Sequence, residues 1–513
     1  MSTALSYCVI LPEILDIVCR YLTRGELACL ARTSRFFFHS AARELWSSWP
    51  VEDKDILNLL PDSLVVKPGE KITRFEVHIP AVLPPNYFER FNLYAPFVKH
   101  VTVSLAWGHN EEYIHQKHLP GWPMVACYAR NHVLLPNLKK LDICERYSTT
   151  TSSRACADWL SALVPPSLSE LDIFRNFVDD SPGCIERYLK LIDGILARTS
   201  ANLERLRIHA IEPSINQLSA PSPNDPASET LMPGALISKA LKHIVGMPRL
   251  RKLEIPELSL TLEVPDLPAS STCRLNSLQI ACGAVEPLFH IWRTPIPAHL
   301  SHLSLSTNWP GTTSAVSELH ELTTLIAAVS PHITKISFYF ADIPDTDHLL
   351  DVLYPLHTLQ LTELIVNGVQ LTQPVQQISL RTIAEYWPLL EVLEIRHVGT
   401  SFNELVTVSS YLPRLTCLLM QLESTIPPEL LIDDTAVQID TRPAQELELV
   451  SDFRCVHTFN PTETNEFAKF LTKIWRSVNI KCYCRGYNHG PEYEEFKVVL
   501  AQHLNGTPPA ITA

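Results

Sequence analysis

The sequence predicts an α/β protein in which a short helical unit at the N-terminus precedes a long series of strand-plus-helix units. Residues 11–46 carry apolar side chains at helical spacing, and a six-residue aliphatic pattern recurs ten times between residues 138 and 420. Six of the ten copies have a proline two positions ahead of the first aliphatic residue. The regular prolines indicate that each copy begins in the same way.

The N-terminal segment 11–46 holds more apolar residues than so short a segment can bury by itself. Apolar residues recur at helical intervals over 14–22, and Pro12 suits a first helical turn because its missing N–H is unpaired there anyway. Phe36 and Trp46 add large apolar area to a stretch too small for an independent core. We therefore expect another protein to cover part of this surface.

In their order along the chain, these residues resemble an F-box. The resemblance is carried by Leu11-Pro12-Glu13-Ile14-Leu15, Tyr21-Leu22, Leu27 to Leu30, Ser34-Arg35-Phe36 and Leu45-Trp46. Thr33 departs from the family, which more usually has an aliphatic residue there. The alternative is a plain helical pair that packs on its own domain.

The F-box resemblance implies a partner. In that family the unit binds the adaptor Skp1 of a cullin–RING ubiquitin ligase, while the rest of the chain holds the substrate. The residues that it implies for contact with a Skp1-like adaptor are Leu11, Pro12, Ile14, Leu15, Val18, Leu22, Leu27, Leu30 and Trp46.

Composition limits the other functions. The 513 residues are 46% hydrophobic with only 15 glycines, which indicates a folded chain. The net charge of −13 and the absence of a long Lys/Arg run disfavour nucleic acid as a partner. Scattered cysteines, 13 in number, favour the cytoplasm or the nucleus. Charged residues from Glu13 to Arg20 interrupt the apolar N-terminus, so we expect neither a signal peptide nor a membrane anchor.

The recurring pattern is L-x-x-L-x-I, with copies 25 to 47 residues apart. Its copies start at Leu138, Leu168, Leu203, Leu250, Leu275, Leu300, Ile333, Leu361, Leu390 and Leu415. Val98-Val101-Val103 and Ile72-Phe75-Val77 are candidate earlier members. Such spacing is typical of a solenoid of irregular strand-plus-helix units.

The prolines ahead of the pattern predict where helices end and strands begin. They are Pro136, Pro166, Pro248, Pro331, Pro388 and Pro413. Proline lacks the backbone donor and disfavours helix in the preceding residue, so the chain leaves each helix extended. Upstream, helical periodicity returns, as over 316–329 and 185–196.

These units resemble leucine-rich repeats over roughly residues 98–480. The resemblance implies parallel strands on a concave face, helices outside, and an irregular arc, because only Asn176 and Asn308 occupy the family's usual asparagine position. The whole chain resembles fungal F-box and leucine-rich-repeat proteins. We expect an F-box at 1–50, a linker with possible first repeats at 51–97, a solenoid at 98–440, and a last repeat with a C-terminal cap at 441–513.

Residues 212–235 interrupt the repeats. Five prolines and several Ser, Asn and Asp residues give this segment the composition of a disordered loop, which is either a tolerated insertion on the rim or a binding lid.

Alternate strand residues are the candidate surface for a protein substrate. Those in the first four copies are Lys140, Asp142, Glu170, Asp172, Arg205, Arg207, Lys252 and Glu254. Their mixed charge favours a protein over a polyanion. The alternative is that most are simply solvated strand residues, since few residues carry an interface.

The sequence predicts no catalytic site and no cofactor. It contains no G-x-S-x-G turn, phosphate-binding glycine loop or H-E-x-x-H helix. Two clusters have metal-ligand chemistry, namely His109, Glu111, Glu112, His115 and His118, and Cys455, His457, Cys482, Cys484 and His489. Because neither has the ligand spacing of a known site, we expect no metal.

Three functions remain open. The leading hypothesis is a non-catalytic substrate receptor of a ubiquitin ligase, which contacts cullin and RING subunits through the Skp1-like adaptor. The second is a protein-interaction scaffold without ubiquitin transfer. The third, a metal-dependent enzyme built on the repeats, depends on the two clusters.

Overall fold

The computed structural model divides the chain into two units, Met1–Arg274 and Leu275–Ala513. The residues that it describes are 12–61, 64–66, 75–77, 80, 82–104, 125, 127–129, 132–146, 160, 162–176, 192–211, 241–258, 273–282, 285–307, 313–340, 349–367, 379–401, 404–405, 408, 411–422, 446–451 and 477–482. Each unit is described by itself.

Three helices open the first unit: α1 (Pro12–Cys19), α2 (Arg24–Thr33) and α3 (Arg35–Ser47). A capping box fixes the start of α2, because the Thr23 N–H donates to Glu26 Oε2 at 2.8 Å and the Glu26 N–H donates to Thr23 Oγ1 at 3.4 Å. Ser34 is extended and separates α2 from α3. Arg43 Nη1 of α3 lies 2.7 Å from Asp16 Oδ2 of α1, which ties the first and third helices together.

The rest of the first unit is a parallel sheet with short helical segments between its strands. Its elements are β1 (Val51–Glu52), α4 (Asp53–Leu57), β2 (Leu64–Val66), β3 (Phe75–Val77), α5 (Glu89–Tyr94), β4 (His100–Ser104), β5 (Lys140–Arg146), β6 (Glu170–Asn176), β7 (Arg205–Ile211) and β8 (Lys252–Leu258). The sheet runs in the order β1-β4-β5-β6-β7-β8, while β2 and β3 form a separate antiparallel pair.

The second unit repeats this arrangement. Its elements are β9 (Ser277–Cys282), α6 (Glu286–Trp292), β10 (His302–Thr307), α7 (Thr313–Val329), β11 (Lys335–Phe340), α8 (Leu349–Leu353), β12 (Glu363–Asn367), α9 (Leu380–Tyr386), β13 (Val392–Thr400), β14 (Cys417–Leu422), β15 (Glu446–Ser451) and β16 (Ser477–Cys482). Its strands are parallel neighbours in chain order, from β9 to β16.

The aliphatic pattern forms the core of both units. In every copy all three pattern positions are buried, as at Leu141 and Ile143 of β5, where both side chains are fully inaccessible. Residues between them lie on the other face of the sheet, because successive strand side chains alternate. The predicted prolines occupy two-residue turns directly before the strands, as Pro388 does after α9.

Hydrogen bonds at the start of the strands link one repeat to the next. The N–H of Thr334 donates to Ser301 O at 3.0 Å, and the N–H of Thr362 donates to Thr334 O at 2.8 Å. Several hydroxyls add a second bond to the same carbonyl, as Thr416 Oγ1 does to Glu391 O at 2.9 Å. Serine and threonine thus form a ladder of polar contacts at the start of the strands.

Buried polar groups also join the helical layers of successive repeats. Trp387 is fully buried, and its indole N–H donates to Leu356 O at 2.9 Å. Thr323 Oγ1 of α7 donates to Val352 O of α8 at 2.7 Å. Such pairing removes the cost of burying an unpaired donor.

The structure confirms the predicted fold class, with N-terminal helices followed by an α/β repeat array of parallel strands. One prediction within it is wrong: Ile72-Phe75-Val77 is not a repeat, since β3 pairs antiparallel with β2, and β1 is the neighbour of β4 instead. The loop 212–235 and most of the predicted cap lie outside the described residues. Within the described part of the chain, no helix is both long and apolar enough to cross a membrane.

Adjacent substitutions in β12 test the two faces of the sheet. Leu364→Ala empties a fully buried position and should lower the free energy of unfolding by about 2–5 kcal/mol. Ile365→Ala, on the opposite face, should cost less than about 1 kcal/mol. Denaturant unfolding of both variants measures the difference, and equal losses would contradict the assigned register.

Candidate functional site

An apolar stripe lies exposed on α1. Ile14, Ile17 and Val18 are each about half exposed, and Tyr21, just past the helix end, is 84% exposed. These residues, the α1 stripe, follow one another at intervals of three, one and three, so they share one side of the helix. The Tyr21 N–H donates to Val18 O at 3.0 Å, which continues the helical turn to the last member.

The opposite side of α1 faces the other two helices. Leu15 and Cys19 are buried against Leu27 of α2 and Ala41 of α3. Burial, followed by the charges of Asp16 and Glu44, raises the pKa of the Cys19 thiol, which is therefore protonated at neutral pH. The helical unit thus has a small core of its own, and the α1 stripe is not needed to form it.

The structure divides the predicted adaptor residues between the surface and this core. Ile14, Val18 and Pro12 are exposed, whereas Leu15 and Leu27 are buried. The partly buried residues packed against the core include Leu22 and Leu30. Leu11 lies outside the described residues. A contribution of Leu15 and Leu27 to adaptor binding stays a prediction, and it would act through the packing of the helices rather than through direct contact.

Trp46 contacts the chain itself. Its ring centroid lies 5.3 Å from that of Tyr94 at the end of α5, and Phe38 of α3 approaches the same tyrosine at 5.5 Å. Arg24 Nη2 lies 3.4 Å from Asp55 Oδ2 of α4. These contacts attach the helices to the first repeats, and Trp46 is half-buried in this attachment rather than presented with the α1 stripe.

The predicted substrate residues lie side by side on the face of β5–β8 opposite the aliphatic core. One row pairs Lys140, Glu170, Arg205 and Lys252 across the strands, and the next row pairs Asp142, Asp172, Arg207 and Glu254. The structure therefore brings together all eight residues. His100 of β4 extends the first row beside Lys140.

The β5–β6 half of this surface is acidic. Lys140 Nζ lies 3.2 Å from Asp142 Oδ1 and 3.5 Å from Asp172 Oδ2, while His100 Nε2 lies 2.6 Å from Asp142 Oδ2. Burial alone raises the pKa of Asp142, but the His100 hydrogen bond and the charges of His100 and Lys140 outweigh it, so the pKa is lowered. Burial and the charge of Asp142 raise the pKa of Asp172, which is 3% exposed.

The β7–β8 half is basic. Glu254, only 1% exposed, accepts hydrogen bonds from Arg205 Nη2 at 3.0 Å and from Arg207 Nε, and its Oε1 lies 2.7 Å from Lys252 Nζ. Burial raises the pKa of Glu254, but the Lys252 hydrogen bond and the charges of Arg207, Lys252 and Arg205 outweigh it and lower the pKa. Glu254 therefore stays ionised at neutral pH.

His209 adds an uncharged group beside the basic half. It stacks on Phe174 with a centroid distance of 4.2 Å. Burial, together with the charge of Arg207, lowers the pKa of His209 to about 4. The imidazole is therefore neutral at pH 7 and gives the surface an aromatic rather than a cationic edge.

The two sequence clusters with metal-ligand chemistry are not tested by this geometry. All of their residues lie outside the described ranges except Cys482, of whose side chain nothing is described. Within the residues that are described, no three His, Cys, Asp or Glu side chains form a group that could hold a metal ion.

Comparisons with known proteins add little. No family model matches the chain, and no curated protein matches it. Solved structures similar to it include the leucine-rich repeat-containing protein LegL7 from Legionella pneumophila, with 12% identity over 86% of this chain and 100% of that one, at a TM-score of 0.28. The Rad7 and Elc1 complex in yeast gives 12% identity over 81% and 91%, at 0.27. The fold assignment therefore rests on the strand order and burial described above.

Sequence reasoning left Ile17, Tyr21 and His100 out of its site residues. Ile17 and Tyr21 fall on the i, i+3, i+4, i+7 series that begins at Ile14, and this spacing could have identified them. His100 could have been found by aligning Val98-Val101-Val103 with the later copies, which places it level with Lys140.

Asp172→Asn tests the electrostatics of the acidic half. In the folded protein the pKa of Asp172 is raised above its value in the unfolded chain, which is about 3.9. As the pH rises from the unfolded pKa through the folded pKa, this carboxyl lowers the stability of the folded state progressively. The variant should therefore have a higher free energy of unfolding than the parent at pH 7, and the gain should vanish below about pH 3. Urea titrations at both pH values measure it; a loss of stability at pH 7 would contradict the assignment.

Proposed function

We propose that this chain is a substrate-receptor subunit of a Skp1–cullin–F-box ubiquitin ligase. The N-terminal helices would bind a Skp1-like adaptor, and the repeats would bind a target protein. The chain would perform no chemistry, because holding a target near a separate ubiquitin-conjugating enzyme accelerates transfer through proximity. This assignment implies that the protein acts in the cytoplasm or the nucleus.

The observation that carries the proposal is the α1 stripe. Four adjacent apolar residues remain exposed although a core of Leu15, Cys19, Leu27 and Ala41 is already formed beneath them. Contiguous exposed apolar residues on a soluble domain mark an interaction surface. The F-box resemblance of the same helices identifies the kind of partner that such a surface would take.

The charged surface on β5–β8 supports the proposal that the repeats bind a target protein. This surface lies on the face of the sheet opposite the aliphatic core, so its exposed side chains are available for recognition. In the second unit the corresponding positions are mostly uncharged, as with Ser304, Ser337 and Ile365. Charge-based selection of a target would therefore reside in the first unit.

Substitutions in the α1 stripe test adaptor binding. Ile17→Asp places a charge in a 53% exposed apolar position and should weaken binding to a purified Skp1 homologue at least tenfold, which corresponds to a loss of about 1.4 kcal/mol. Tyr21→Asp should act in the same direction. Binding is measured by calorimetry on the full chain.

Val133→Asp is the matched control for Ile17→Asp. Val133 is β-branched, 54% exposed and distant in sequence from the helices, so its substitution should leave adaptor affinity unchanged. Unaltered affinity in both stripe variants would contradict the adaptor assignment, whereas a loss in all three would indicate a general effect of added charge.

A non-ligase scaffold is the competing function, and affinity purification separates the two. The tagged chain should recover cullin and RING subunits together with the adaptor, and Ile17→Asp should lose all three together. Recovery of the adaptor without cullin would favour the scaffold. The control is the Val133→Asp chain, which should behave as the parent.

A further inference from the structure

Three cations surround one carboxylate on β7 and β8. Arg205, Arg207 and Lys252, the cation cluster, all contact Glu254, which is 1% exposed. Glu254 and Glu170, whose Oε2 lies 3.8 Å from Arg205 Nη1, balance two of the three charges, so the cluster keeps one excess positive charge. The three cationic side chains remain accessible, from 30% for Arg205 to 43% for Lys252.

Glu254 orients the side chains of the cation cluster without neutralising all of their charge. The carboxylate stays ionised because of the three cations, and its buried position fixes the orientation of both guanidinium groups through hydrogen bonds. Preorganised donors bind an incoming group at a lower entropic cost than flexible surface side chains do.

The cluster has unused donor capacity. Arg205 Nη1 lies 3.8 Å from Glu170 Oε2, which is too long for a hydrogen bond. An ammonium group such as that of Lys252 has three donors, and its contact with Glu254 uses one of them.

We propose that the cation cluster binds an anionic side-chain group, a carboxylate or a phosphate, of the target protein. Both groups match the donors of an arginine in a planar, two-bond contact, and charge-assisted bonds of this kind are strong. This inference rests on the proposed function, since it specifies the target that the receptor would hold.

The acidic half of the surface restricts the occupant to a segment with a localised negative charge. Glu170, Asp142 and Asp172 lie on the next two strands, with Lys140 as the single lysine among them. A polyanion that extended across the strands would be repelled there, whereas a segment with one acidic group followed by a neutral or basic stretch would not. The charge pattern thus favours a protein segment over a nucleic acid.

The test is an oriented peptide library presented to the full chain. One fixed position carries Asp, phosphoserine, Ser or Lys, and the remaining positions are degenerate. The parent should enrich Asp or phosphoserine peptides over Lys peptides by about tenfold, and the Asp and phosphoserine arms distinguish a carboxylate from a phosphate. No preference, or a preference for Lys, would overturn the proposal.

Lys252→Gln removes one cation while leaving the arginine contacts to Glu254, and it should abolish most of the enrichment. Lys242→Gln, at an exposed lysine outside the sheet, is the matched control and should retain it. Arg207→Gln removes a different cation, while Arg205 and Lys252 still pair the buried Glu254, so it should reduce the enrichment in the same way. Full enrichment in both Lys252→Gln and Arg207→Gln would overturn the proposal.

Adaptor affinity measured on the same preparations separates the two proposals. Adaptor binding with no anion preference would overturn the inference alone. An anion preference without adaptor binding would overturn the ligase assignment and leave the cation cluster as the site of a scaffold.

Discussion

The burial of three aliphatic side chains per repeat is the constraint on which the rest of the structure depends. Each strand contributes two of them, and the segment between the preceding turn and the strand contributes the third. The parallel backbone bonds and the ladder that begins at residues such as Ser301 and Thr334 then fix the register. Because the aliphatic core lies on one face of the sheet, the residue types on the other face can vary without changing the core.

That freedom explains why charge can accumulate on β5–β8 without disturbing the aliphatic core. Neighbouring parallel strands place side chains of the same register about 4.8 Å apart, close enough for ion pairs to form across several strands. Asp172 and Glu254 show the two possible results of burying a carboxylate there. Glu254 has three cations and stays ionised, while Asp172 shares Lys140 with Asp142 and has a raised pKa.

The sequence predicts the repeats well because each is specified locally, by aliphatic spacing and by a proline in a turn. It predicts the helices of the N-terminal unit for the same reason. It does not separate the inward from the outward residues of α1, because Leu15 and Val18 are equally apolar and only the positions of α2 and α3 decide which is covered. The exclusion of β3 from the repeats likewise depends on its partner strand β2, which lacks a clear pattern.

The sequence also does not predict which charged side chains pair with one another on β5–β8. Mixed charge on alternate residues is visible without a structure, but the collection of Arg205, Arg207 and Lys252 on a single carboxylate depends on the register between β7 and β8. Across the 47 residues between those two copies of the pattern, no local signal sets that register.

The aromatic contact between Trp46 and Tyr94 packs the end of α3 against the end of α5, shortly before β4. Under the proposed function, a protein bound to α1 would therefore lie near the β1 end of the sheet. Counted in strands, β7 lies four steps from β1, or about 19 Å. Under the proposed function, gain or loss of a single repeat between them would change the distance along the sheet between the adaptor-binding helices and the cation cluster by one such step.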